Sequence, residues 1–181
     1  MTLHYRAALG MHAVVSTSSR NVISLMRTDI CAKDLIEGSR RPEVVDAMRE
    51  FYARIDRQIA EKPATCWNHG DCCRFAQFGH RLYVTALEVC YYLATGDAPP
   101  PVTGDTCPHA YEGKCHARER RPLGCRIFFC DPLAQAWQGP FTEEHLAVLR
   151  ELHDELGVRY FYADWMDVLR ALRTPEKSFT R

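Results

Sequence analysis

Between residues 39 and 62 the apolar positions recur with a helical period. Val44, Val45, Met48, Phe51, Tyr52, Ile55 and Ile59 share one face, at the spacing that stacks side chains along a helix. Pro42 suits the first turn, where its missing N–H has no partner to lose, and Pro63 stops the run. A second periodic stretch opens at Thr85, which with Glu88 forms a capping box. It carries Leu87, Cys90, Tyr91 and Ala94 on one face and runs to Gly96. A third helix is predicted from Thr142 as N-cap, stapled by Phe141 and Leu146, with Leu149, Leu152 and Leu156 inside and Gly157 ending it. In the fourth, Asp164 caps a face of Trp165, Val168, Leu169 and Leu172. Residues 81–84 read as a short strand, and residues 158–162 as a strand or a continued helix.

These elements predict a mainly α fold, a small helical domain around an irregular cysteine-rich centre, with at most short strands. Residues 1–38 have weak periodicity, with at best a short helix within 28–37, and are expected to form a loosely packed arm. Residues 39–181 form the single domain, with its cysteine clusters in 66–130 and C-terminal helices in 142–173. Three consecutive prolines and a glycine within 98–106 predict a surface loop returning the chain to the clusters.

The length of 181 residues suits one domain, and 46% apolar residues fill an ordinary core. The 23 basic residues balance the 23 acidic ones, so no global field draws the chain to nucleic acid or anionic lipid. No apolar run approaches the roughly 20 residues of a membrane helix, so neither nucleic acid nor a membrane is an expected partner. The apolar run over residues 7–15 is short, contains His12 and lacks a cleavage signal, so it is not read as a secretion leader.

The nine cysteines are an odd number, and eight fall between residues 66 and 130. A disulfide framework accommodates that poorly in a chain of this length. A reducing, cytoplasmic setting with metal-held thiolates fits better. Cys31 and Cys90 read as small buried hydrophobes. The other seven fall with a histidine in two clusters. In the first, CWNHGDCCRF over residues 66–75, Cys66, His69, Cys72 and Cys73 are candidate ligands, and Gly70 lets the backbone turn back toward an ion. Adjacent Cys72 and Cys73 suit two metals or one larger cluster better than a single tetrahedron. In the second, Cys107 and Cys115 flank a turn containing Gly113, while Cys125 and Cys130 enclose residues 126–129.

Eight ligands fill two closed four-coordinate sites, which makes one or two structural zinc ions reasonable. Seven thiolates against two zinc ions leave three negative charges in excess. Arg74, Arg121 and Arg126 are placed to offset that excess and to donate hydrogen bonds to sulfur.

Cys66, His69, Gly70, Cys72, Cys73 and Arg74, then Cys107, Pro108, Gly113, Cys115, Arg121, Pro122, Cys125, Arg126 and Cys130, resemble the CxxCxxCC cysteine-cluster family, also called YkgJ-like. The resemblance spans residues 66–130 and implies chelation of zinc or iron, with no established reaction. His69 stands where that family usually has a second cysteine.

An iron-sulfur cluster is the competing reading. Two residues between successive ligands resembles the bacterial ferredoxin run, with Cys107 before Pro108 as the remote cysteine. Mixed Cys/His ligation favours zinc. The functions that follow are a structural metal-binding protein, an iron-sulfur redox component, or a metal-delivery chaperone. Phosphate loops, HExxH helices and nucleophile elbows are absent from the sequence; an enzyme would need a metal position left open to water, and the abundance of sulfur argues for closed sites instead, so the reading leans away from an enzyme without deciding it. His80, His109 and His116 are expected as polar loop or surface residues, and His145 and His153 need no special role. The aromatic runs at Tyr91 and Tyr92, Phe128 and Phe129, and residues 160–162 are expected in the core.

Overall fold

The structure is a computed structural model that describes residues 32–67 and 70–173. It is mainly helical, with two small two-stranded sheets among the described residues. Residues 1–31, including the apolar run over 7–15 and Cys31, lie outside the described residues, as does His69.

Helix α1 (Ala32–Ser39) turns directly into α2 (Pro42–Ala60). The apolar stripe of α2 is inside as its spacing requires, with Val44, Met48, Phe51, Tyr52 and Ile55 buried. The four-residue helix α3 (Phe75–Phe78) leads to strand β1 (Tyr83–Thr85), which enters helix α4 (Ala86–Ala94) without a break. A hairpin, β2 (Ala110–Tyr111) and β3 (Lys114–Cys115), is followed by α5 (Leu123–Ile127), α6 (Gln138–Leu156), β4 (Tyr162–Asp164) and α7 (Trp165–Arg173). Strands β1 and β4 pair antiparallel, Tyr83 opposite Asp164 and Thr85 opposite Tyr162. Each strand runs straight into a helix, so one short ribbon sets the start of both α4 and α7.

Helix α4 is the centre of the core. Seven of its nine residues, Ala86 to Tyr92, are buried. Glu88 is among them: its carboxylate accepts from the N–H groups of Thr85 and Leu123, each at 2.7 Å. The first of these bonds is the glutamate arm of the expected capping box. The second reaches across the core to the first residue of α5.

Several expectations are corrected. The end of the N-terminal segment is not loosely packed: Leu35 and Gly38 of α1 are buried, and a Cβ on Gly38 would stand 2.6 Å from the Cys90 sulfur of α4. Helix α6 starts at Gln138, four residues before Thr142, because Pro140 falls in its first turn and loses no intrahelical bond there. Thr142 is accordingly not the cap; its hydroxyl donates back to the Gln138 carbonyl at 2.7 Å. The second strand begins at Tyr162, so residues 158–161 join α6 to it as an irregular link. Gly157 does end α6 with a left-handed φ of 61°. Asp164 does cap α7, accepting from the Met166 and Asp167 N–H groups. Phe128 and Tyr162, expected inside, are 44% exposed.

Candidate metal centre

The cysteines are set by short local elements. Gly70, with a left-handed φ of 75°, opens a 3-10 turn over Asp71–Cys73 in which the Cys73 N–H donates to the Gly70 carbonyl. The turn buries Cys73 and leaves Cys72 exposed. The Cys107 N–H then donates to the Cys73 carbonyl at 2.8 Å, and Arg74 bridges to Thr106. The two clusters are therefore joined backbone to backbone. Cys115 is carried by the hairpin, whose turn residues Glu112 and Gly113 both have positive φ, the geometry that matches the natural twist of paired strands. Cys125 lies in α5. Cys130 is drawn toward Cys66 by buried Asp131, whose carboxylate accepts from the Thr65 N–H at 2.8 Å and from the Leu133 N–H at 3.0 Å.

Six cysteines, Cys66, Cys72, Cys73, Cys115, Cys125 and Cys130, border one cavity of about 50 Å³, together with Asp71, Arg118 and Arg121. Cys107 is buried behind Cys73. All seven are free thiols rather than disulfides. His69 lies outside the described residues. Among the described residues, no group of three or more His, Cys, Asp or Glu side chains is assembled as a metal site. Six cysteines from distant stretches line one small space and none is in a disulfide, and thiolates are the ligands that thiophilic ions take.

The sulfurs differ in electrostatics. The Cys72 thiol is pushed down to about 6, first by the hydrogen bond from Cys73, then by a backbone bond and the charges of Arg121 and His80, against the effect of burial. Cys73 is raised as the partner that keeps its proton in that bond. Burial pushes Cys107 up to about 11 and Cys125 well up, with neighbouring Cys107, Cys72 and Cys115 adding to the effect. Without a cation these inner thiols hold their protons at neutral pH, and Cys72 is the one that ionises first.

The three arginines separate. Arg121, half-buried at the cavity, is the guanidinium whose charge reaches Cys72 and Cys125. Arg74 is exposed and pairs with Asp71 at 3.6 Å. Arg126, expected to donate to sulfur, turns the other way. It is buried over the Tyr52 ring at 4.1 Å, bonds Asp56 at 2.6 Å, and donates to the carbonyls of Arg121 and Glu119. It clamps the loop carrying Arg121 onto α2, a position that the next-neighbour argument from sequence does not detect.

One histidine departs from expectation. His109 is buried, bonded to the Tyr92 hydroxyl at 2.9 Å and pushed down to about 4 by burial. His145 and His153 are buried as well, while His116 is exposed as expected. His80 stands beside the centre, its Nε2 3.0 Å from the Cys72 carbonyl. Asp131 and Glu88 were not singled out as site residues; an aspartate before Pro132 and the capping glutamate were their only local signals. Compared with models of protein families, with curated proteins and with solved structures, the chain matches none.

Proposed function

We propose that the chain is a metal-chelating protein whose cysteine centre holds one or two zinc ions in a structural role. Cys66, Cys72, Cys73, Cys107, Cys115, Cys125 and Cys130 supply the thiolates and His69 the nitrogen donor. The observation that carries this reading is the meeting of two cysteine stretches around one cavity with every sulfur left unpaired by disulfide. The resemblance of residues 66–130 to CxxCxxCC proteins supports it, and free thiols suit a reducing, cytoplasmic setting. No helix among the described residues is long and apolar enough to cross a membrane.

A bound cation would stabilise the thiolate forms of Cys107 and Cys125 against the burial that holds them protonated, so loading releases protons. Arg121 is positioned to offset the residual negative charge. A structural zinc site contributes on the order of 10 kcal/mol, comparable to the net stability of a whole domain.

The test is elemental analysis and a visible spectrum of the purified full chain, with chelator titration followed by circular dichroism. A colourless, zinc-containing protein that unfolds when stripped is expected, and Cys72→Ser and Cys125→Ser should be insoluble. A soluble, cooperatively folded, metal-free protein rules the proposal out. One observation favours a second reading, an iron-sulfur redox centre: the adjacent Cys72 and Cys73 border the same cavity, as a polynuclear cluster requires. A brown protein whose visible band bleaches on reduction would select it.

A further inference from the structure

A second cavity of about 340 Å³ lies on the other side of the wall made by Cys72, Cys125 and Phe128, which border both spaces. Its size falls at the lower end of small-molecule sites. Phe75, Leu82, Leu123, Ile127 and Leu146 supply apolar walls. Planar groups mark its two sides. His80 stacks on Phe128, ring centroids 5.7 Å apart and 15° from parallel, with Phe75 edge-on to it at 5.4 Å. Tyr83 and Tyr162 stack on each other at 5.3 Å. Phe128, Tyr83 and Tyr162 are each more than 40% exposed, a grouping of aromatic surface that isolated exposed side chains do not produce.

The charges at this cavity are already matched. Arg81 pairs with Asp164 at 3.3 Å, and the buried Glu88 carboxylate receives the Thr85 and Leu123 N–H groups. Glu143 is exposed, where water screens it. A charged ligand would meet only His80, already held against Cys72, and the exposed Glu143, so it would give up hydration for little opposite charge, whereas an uncharged apolar one gains the walls. We infer that this cavity binds a small, planar, uncharged aromatic molecule whose inner end rests against the sulfurs of Cys72 and Cys125. The site stands apart from the identity of any ion in the neighbouring cavity.

The experiment titrates 2-naphthol and its charged counterpart 2-naphthoate into the full chain as purified, followed by backbone amide shifts. Saturable binding of 2-naphthol with shifts centred on Gly124 and Gly139 is expected, and 2-naphthoate should bind more than about tenfold more weakly. Gly139 lines the cavity and a Cβ on it meets nothing within 4 Å, so Gly139→Leu starts in open space and adds bulk at the cavity from the first turn of α6. It should weaken 2-naphthol more than about tenfold while the melting temperature holds or rises. Phe128→Ala removes an exposed ring and should weaken binding by about threefold or more. Equal affinity for the two probes, full affinity in Gly139→Leu, or shifts away from Gly124 overturns the proposal. If Gly139→Leu fails to fold, the probe comparison and Phe128→Ala decide it.

Discussion

Replacing Glu88 with alanine separates the core from the cysteine centre at one point. Glu88 is 2% exposed, and its oxygens accept from the Thr85 and Leu123 N–H groups at 2.7 Å and from the Tyr52 hydroxyl at 3.4 Å. These donors belong to the start of α4, the start of α5 and α2. Burial pushes the carboxyl up against the effect of those bonds, so removing the charge returns part of what is lost. Two buried N–H groups left without acceptors cost about 1–3 kcal/mol each. After that offset, Glu88→Ala should lose about 2–4 kcal/mol, a large share of a typical 5–15 kcal/mol. Glu88→Gln keeps one carbonyl oxygen and should lose about half as much, since its amide N–H₂ cannot accept from the other donor. Urea denaturation followed by circular dichroism measures both. The position of Leu123 at the head of α5 adds a second readout: Cys125 in Glu88→Ala should react faster with a thiol reagent. A Glu88→Ala protein within about 0.5 kcal/mol of the parent, with unchanged Cys125 labelling, would refute the reasoning.

Gly38→Ala should destabilise by about 1–2 kcal/mol, because the new Cβ would stand 2.6 Å from the Cys90 sulfur and overpacking outweighs the helix gain. In a Cys90→Ala background the same change should instead stabilise by about 0.5–1 kcal/mol; equal effects in both backgrounds would contradict the contact. His153 is buried, with Nδ1–H donating to the Val158 carbonyl at 2.8 Å and Nε2 accepting from the Leu87 N–H at 3.4 Å, and burial lowers its pKa. A lowered histidine contributes stability that is complete above its ordinary value of 6.5 and is lost as pH falls below it. The slope is at most about 1.4 kcal/mol per pH unit. Urea midpoints should therefore fall on acidification less steeply in His153→Gln than in the parent, and identical slopes count against the assignment.

Helix α2, the capping glutamate of α4, the Gly157 stop and the Asp164 cap were legible because each depends on neighbours within a turn or two. The gathering of two cysteine stretches was legible as an expectation from spacing, since chemistry selects so many thiols at short intervals. Misreadings occurred where local signals had two meanings. Thr142 read as the N-cap of a helix, yet Pro140 is tolerated in a first turn, so the helix begins four residues earlier at Gln138. Arg126 follows Cys125 and looked like a sulfur donor, yet the direction of α5 sends its guanidinium to Tyr52 and Asp56.

By itself the chain determined the helical periods, the caps of α4 and α7 and the supply of thiols, all set by interactions over a few residues. Only tertiary structure decided which sulfurs border one cavity, that Arg121 rather than Arg126 faces them, and that an aromatic-lined space lies beyond Cys72 and Cys125. Those outcomes depend on how α4, α5 and α6 pack, and packing joins residues whose separation along the chain carries no periodic signal.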